Sequence, residues 1–154
     1  MPAVLHRPHV QRGMAIVEFT IALPVLLLLL AATAEIGRML SQYDTLNKAV
    51  RGGARYLAAN ALLGTTGVVT INSTVQTATV NLVVTGNTAG TGTALLPTLT
   101  ASNVTVASVA NGYVSVSAAY TYVPMLGARI PTFGLTAPIN TGVTLNATVV
   151  MKPL

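Results

Sequence analysis

Cysteine is absent from this chain and acid is nearly so: the 154 residues hold no Cys and only three Asp or Glu. Without Cys there is no disulfide, no thiolate nucleophile and no zinc–thiolate site, so the fold must hold by packing and hydrogen bonding alone. Histidine is almost missing as well; His6 and His9 are the only two, and both sit close to the N-terminus. The acids are Glu18, Glu35 and Asp44. Glu18 falls within a long apolar run, while Glu35 and Asp44 are nine residues apart, a spacing that puts them on different faces of a helix. No carboxylate pair, Ser–His dyad or metal cluster can be assembled from such a set. A Ser–Lys arrangement through Lys48 or Lys152 has no supporting spacing. The sequence therefore argues against an enzyme, and no cofactor or metal is expected.

Charge of either sign is scarce. Charged residues make up 7% of the chain, against about 25% in ordinary soluble domains, while hydrophobic residues make up 52%. A soluble domain so poor in charge would sit near precipitation, so a large part of the chain should face lipid or a partner. The formal net charge of +5 comes from cations placed around the apolar run: Arg7 and Arg12 before it, and Arg38, Lys48, Arg51 and Arg55 after it. From Thr66 onward only Arg129 and Lys152 are charged. Nucleic-acid binding needs clustered Lys and Arg on the body of a domain, so no nucleic-acid partner is expected.

The residues that are present fall into parts of different character. Residues 1–13 (MPAVLHRPHVQRG) are polar, basic and interrupted by Pro2 and Pro8, and read as a leader without stable helix. Residues 14–34 (MAIVEFTIALPVLLLLLAATA) span about 31 Å as a helix, enough for the hydrocarbon core of a bilayer of about 30 Å. Pro24 lies inside that span, where it either kinks the helix or is tolerated as in other membrane helices. Arg7 and Arg12 on the short side predict a cytoplasmic N-terminus. Residues 35–62 continue the helix with an apolar stripe at steps of three or four: Ile36, Leu40, Tyr43, Leu46, Val50, Ala54, Leu57 and Ala61. On this reading Gln42 lies off the stripe, and Gly52-Gly53 weakens the helix.

Residues 66–154 turn to Val, Thr, Ser, Asn and Gly, and read as a β-rich domain. Strands are expected over 68–84, 103–109, 113–123 and 143–151, with 85–93 (TGNTAGTGT) as a flexible loop. Asn111-Gly112 marks a hairpin. A three-residue loop there places Val104 and Val106 opposite Tyr120 and Ala118, with Val116 on the same apolar face, and is preferred to a two-residue loop because register follows the buried face. Tyr120 and Tyr122 read as strand packing or interface. The triplets at Asn72, Asn103 and Asn146 match the glycosylation pattern, as chance allows in an Asn- and Thr-rich chain. The fold class is thus α+β: a long N-terminal helix, membrane-spanning below and amphipathic above, followed by a small antiparallel sheet.

The most specific stretch is 12–19 (RGMAIVEF). A Gly closes the basic leader, and the fifth residue after it, Glu18, is the only acid inside the apolar run. A carboxylate at the bilayer centre costs about 2.5–3.5 kcal/mol, less near the edge, so it needs a partner. Cleavage after Gly13 creates one, the new α-amino group of Met14, about one helical turn away or on a neighbouring subunit.

These residues resemble type IV pilin-like proteins, and the first third of the chain resembles the TadE/TadG-like pseudopilins of tight-adherence (Flp-type) pili. The resemblance rests on Gly13, Met14, Glu18 and Phe19 within 13–19, then Pro24, then 35–38 (EIGR) and 49–55 (AVRGGAR). Residues 114–124 (VSVSAAYTYVP) and 134–137 (GLTA) resemble the family's final strands. Phe19 stands where processed members often carry Tyr, and Met14 is an unusual first mature residue. The resemblance implies cleavage between Gly13 and Met14 by a prepilin peptidase, a part for Glu18 in processing register or subunit insertion, and a role as a minor subunit in pilus biogenesis. The implied partners are other pilin or pseudopilin subunits, the inner-membrane pilus platform and inner-membrane lipid, with the C-terminal domain in the periplasm.

Three other readings compete. Val25 to Leu30 with the A-x-A-like Ala32-Thr33-Ala34 fits a cleaved secretory signal, which would release a β-domain acting as an adhesin. A plain uncleaved anchor with Glu18 at the interface, holding the same β-domain at the membrane as an anchored adhesin, is the second. A pseudopilin of a secretion system, differing mainly in its partners, is the third.

Overall fold

The computed structural model describes residues 11–62, 68–125, 127, 129–130, 139–140 and 142–153. The leader up to residue 10 and the stretch 134–137 lie outside the described residues. The chain divides into two units, Met1–Gly37 and Arg38–Leu154, and helix α1 (Gln11–Asn60) contributes to both. Gln11, Arg12 and Gly13 belong to this helix although they were assigned to a helix-poor leader. Pro2 and Pro8 both precede them, and of the three only Gly13 disfavours helix, by about 1 kcal/mol.

In the first unit the helix shows apolar side chains on every face. Met14 is 70% exposed, Ile21 71% and Leu30 68%, and Ile16, Val17, Phe19, Val25, Leu26, Leu27 and Leu29 are exposed with them. The two hydroxyls in this stretch are satisfied inside the helix: Thr20 Oγ1 donates to the Ile16 carbonyl at 2.8 Å and Thr33 Oγ1 to the Leu29 carbonyl at 2.7 Å. Internal pairing of that kind is what a segment without water requires.

The second unit is α+β. Its elements after α1 are helix α2 (Ser73–Thr85), strands β1 (Val104–Val109) and β2 (Tyr113–Thr121), the short strands β3 (Arg129–Ile130) and β4 (Ile139–Asn140), and strand β5 (Thr144–Met151). The main sheet is antiparallel in the order β1-β2-β5, and β3 pairs with β4 in a separate ribbon. Its inner face is built in rows across the strands. Val106, Val116 and Val149 form one row and Val104, Ala118 and Ala147 the next. Along β2 the residues Val114, Val116, Ala118 and Tyr120 are all buried, two apart, as one face of a pleated strand requires.

The core closes over this face with Leu46, Val50, Ala54 and Leu57 from α1, Ala61 just beyond its end, Val83 from α2, and Leu96 and Leu99 from the loop after α2. Each fully buried Leu or Val here is worth roughly 1.5–3 kcal/mol relative to exposure. The buried stripe matches the expected one from Leu46 upward, but below it departs. Leu40 is 59% exposed and Tyr43 40%, while Gln42 is buried and Met39 packs on the core. The inward face therefore runs Met39, Gln42, Leu46, Ala49 and Gly53, a helical spacing that admits one polar residue.

Residues 68–84 were expected as strand, and most of them are helix instead. Asn72 caps α2, its side-chain oxygen accepting from the Val75 N–H at 2.7 Å. At the other end Gly86 takes φ 80° and its N–H bonds the Leu82 carbonyl. Two good caps and a helical stripe of Val75, Thr79 and Val83 override the β preference of Val and Thr. Thr79 is fully buried, and its hydroxyl bonds the Val75 carbonyl at 2.7 Å. Asn72 thus has a structural use that its glycosylation triplet did not suggest.

The β1–β2 hairpin has the odd loop, Ala110 to Gly112, with Asn111 at φ 62° and Gly112 at φ 74°. Val104 pairs with Ala118 and Val106 with Val116, two residues from the expected partners. A shift of two preserves the face, so the expected apolar set stays inside. Residues 85–93, expected to be flexible, carry their own bonds: Asn87 accepts from the Thr91 N–H at 3.1 Å and donates to the Thr91 carbonyl at 2.6 Å.

Gly53 marks the point where α1 and α2 approach. A Cβ built on it would lie 2.6 Å from Val83 Cγ2, whereas one on Gly52 meets nothing within 4 Å. Val83 is fully buried and β-branched, so it has little room to rotate away. Gly53→Ala is therefore expected to lower stability by about 1–3 kcal/mol. Gly52→Ala is expected to raise it by up to about 1 kcal/mol. Denaturant melts of both variants in micelles check the pair; equal effects would contradict the helix crossing.

Candidate functional site: the apolar anchor and its carboxylate

The five residues singled out by the sequence, Gly13, Met14, Glu18, Phe19 and Pro24, all lie on α1 within the first unit. Met14 and Glu18 are four apart and share a helix face, so one turn separates the backbone nitrogen of Met14 from the carboxylate-bearing residue. Gly13 has open space where a side chain would stand. Glu18 is exposed, and it lines a shallow apolar groove with Ile21, Ala22, Val25 and Leu26. Phe19, one residue on, points to another face and is 59% exposed. Pro24 sits inside a helix that continues on both sides of it. Lacking an N–H, it gives the Thr20 carbonyl no donor, and this is one cause of bending in membrane helices.

A carboxylate set among Ile, Val and Leu is out of place in lipid unless a cation meets it. The segment can thus do two things chemically. It can hold the chain in a bilayer through its apolar surface, and it can offer one negative charge to an ammonium or guanidinium group at a fixed depth. Among the described residues α1 is the one helix long and apolar enough to cross a membrane.

Residues 13–55 match the family model for TadE-like protein. The N-terminal part of this chain is TadE-like. No curated protein and no solved structure matches the chain. The TadE-like stretch covers the exposed apolar segment and continues through Gly53 to Arg55, so it takes in both Glu18 and the crossing with α2. The apolar helix fits a single-pass membrane anchor.

A second polar group of this TadE-like stretch was not legible in the stripe. Gln42 is buried, and its Oε1 accepts from the Tyr120 hydroxyl at 2.9 Å. The bond joins α1 to the central strand within the second unit. Extending the buried spacing downward from Leu46 and Ala49 by one turn reaches position 42, which was the available signal. Tyr120 is fully buried and Tyr122 is 2% exposed, so both serve packing, as their strand position indicated. Among the described residues every buried side-chain nitrogen or oxygen has a partner.

Burial raises the Tyr120 phenol above its ordinary 10.0, while a backbone hydrogen bond with Val123 and the Arg38 charge pull it down. A raised phenol pKa means that folding favours the neutral form. Its contribution is therefore complete below pH 10.0 and is lost as pH rises through the folded-state value. Melting temperature should hold through neutral pH and fall in alkali. Tyr120→Phe leaves the Gln42 acceptor without its donor and should cost about 1–2 kcal/mol at neutral pH. It should also flatten the alkaline fall. An unchanged alkaline profile in that variant would place the sensitivity elsewhere.

Proposed function

We propose that this chain is a minor pilin-like subunit, a pseudopilin, in the biogenesis of a tight-adherence pilus. The observation that carries the reading is the TadE-like match over residues 13–55, which encloses the exposed apolar segment of α1 (14–34), whose one acid is Glu18. In this account a prepilin peptidase cuts between Gly13 and Met14. The new Met14 amine, on the same subunit or a neighbour, meets the Glu18 carboxylate. Each charge lowers the desolvation cost of the other, so the pair enters the bilayer more readily than either alone.

The N-terminus lies in the cytoplasm, as Arg7 and Arg12 favour, and the second unit lies in the periplasm. The role is non-catalytic. Its partners are the peptidase, other pilin or pseudopilin subunits, the inner-membrane platform and lipid. Two features of the second unit are compatible with such a part: a small sheet, and a helix shared between an anchor and a packed core.

Two measurements test the reading. Mass spectrometry of the protein purified from membranes should find Met14 as the first residue; Glu35 would mean release by signal peptidase and an adhesive domain in its place. Glu18→Val should leave the protein in the membrane fraction while pili fall to background in electron micrographs. Normal piliation in that variant would remove Glu18 from assembly.

A further inference from the structure

Among the described residues, no strand pairs with the outer edge of β5. In the sheet order β1-β2-β5 it pairs with β2 on one side, and among the described residues its other side carries no backbone pairing. The opposite edge, β1, has α2 lying against it. The open edge is eight residues long, about 27 Å of backbone. It reads TLNATVVM, with no charge, proline or glycine to discourage pairing. Proteins usually guard such an edge with a lysine, a proline or a bulge, because its free N–H and C=O groups template another strand. Here Lys152 and Pro153 stand only beyond its end.

The end of that edge is chemically distinct. A cleft of about 550 Å³ opens between α1 and the end of β5, lined by Arg55, Ala58, Met151 and Lys152. Its floor is apolar and its two cations are exposed. Lys48 pairs with Asp44, and the other acids, Glu18 and Glu35, stand on α1 about 30 Å or more along the helix from Arg55, so neither flanks the cleft. Two exposed cations flanking an apolar hollow at the end of an open strand are complementary to an acid carried on an extended chain.

We propose that the β5 edge receives an extended segment of a different protein, and that acidic residues of that segment seat between Arg55 and Lys152. Charge complementarity favours a different protein over a second copy as the donor: the acids in these 154 residues, Glu18, Glu35 and Asp44, are all held in α1, and none lies on a strand. Backbone pairing along β5 supplies affinity, and the two cations fix the register and select the partner's charge. The inference goes beyond the pilus reading and stands independently of it, since it is tested on the purified chain.

The test uses the full chain in detergent micelles and fluorescein-labelled eight-residue peptides. These alternate Thr and Val and carry two Glu at the amino end or two Glu at the carboxyl end. Matched peptides carry two Lys instead. Anisotropy titrations should show saturable binding of one Glu peptide, with the Lys counterpart weaker by about tenfold or more. Arg55→Glu combined with Lys152→Glu, both surface changes, should invert that preference. N-methylation at alternate peptide residues along the pairing edge should abolish binding.

Binding of neither Glu peptide, or equal binding of Glu and Lys peptides to the unaltered chain, overturns the proposal. So does a preference that survives the charge reversal. The absence of native cysteine gives a further check: Val150, 52% exposed on β5, can be replaced as Val150→Cys. Efficient disulfide-linked dimerisation of that variant would show that a second copy covers the edge, and would also overturn the proposal.

Discussion

Helix α1 works in two solvents, and the rest of the molecule depends on that constraint. Up to Leu30 its large apolar side chains are exposed on every face. From Leu46 to Ala58 one face is buried and the other carries Lys48, Arg51 and Arg55. A helix apolar all round finds stability in lipid or in a large core, whereas one with a single apolar stripe is suited to the surface of a small domain. The sequence shows the same change in where it keeps its charges. Glu18 is the only charge between Met14 and Ala34, and cations return at Arg38.

The folded unit is small, charge-poor and without disulfides, so it relies on close contact. Gly53 lets α2 approach α1, and β2 supplies four buried residues in alternation. Polar groups inside are few and each is answered: Gln42 by Tyr120, Thr79 by its own helix. In a core with so little redundancy, one unsatisfied acceptor or one extra methyl is a sizeable fraction of a stability of about 5–15 kcal/mol.

Much of this was legible in the residues. The apolar run, the long helix, the three main strands and the buried face of the hairpin followed from periodicity, because parity survives a two-residue error in register. Helix α2 was not legible. Its Thr- and Val-rich sequence favours strand, and the deciding signals, Asn72 before it and Gly86 after it, are single residues that turn into caps only once the helix exists. The lower part of the stripe was misassigned for a related reason. Ile36, Leu40 and Tyr43 fit the helical period as well as Met39 and Gln42 do, and the apolar character of the first set outweighed the spacing from Leu46 and Ala49 that points to Gln42, which Tyr120 meets. Of the candidate site, Gly13 to Phe19 was readable as a motif, because an acid in an apolar run stands out without any tertiary knowledge. The open edge of β5 was not, since it depends on strand order.

Anchoring depends on where α1 passes from lipid to water, and a chain without cysteine is suited to measuring it. Leu26→Cys and Ala59→Cys, both at exposed helix positions, place one thiol in the apolar segment and one beyond it. In intact membranes a membrane-impermeant maleimide added on the periplasmic side should label Ala59→Cys and leave Leu26→Cys unlabelled until detergent or denaturant is added. Labelling of Leu26→Cys as readily as Ala59→Cys before solubilisation would contradict a membrane-spanning α1, and the anchoring role with it.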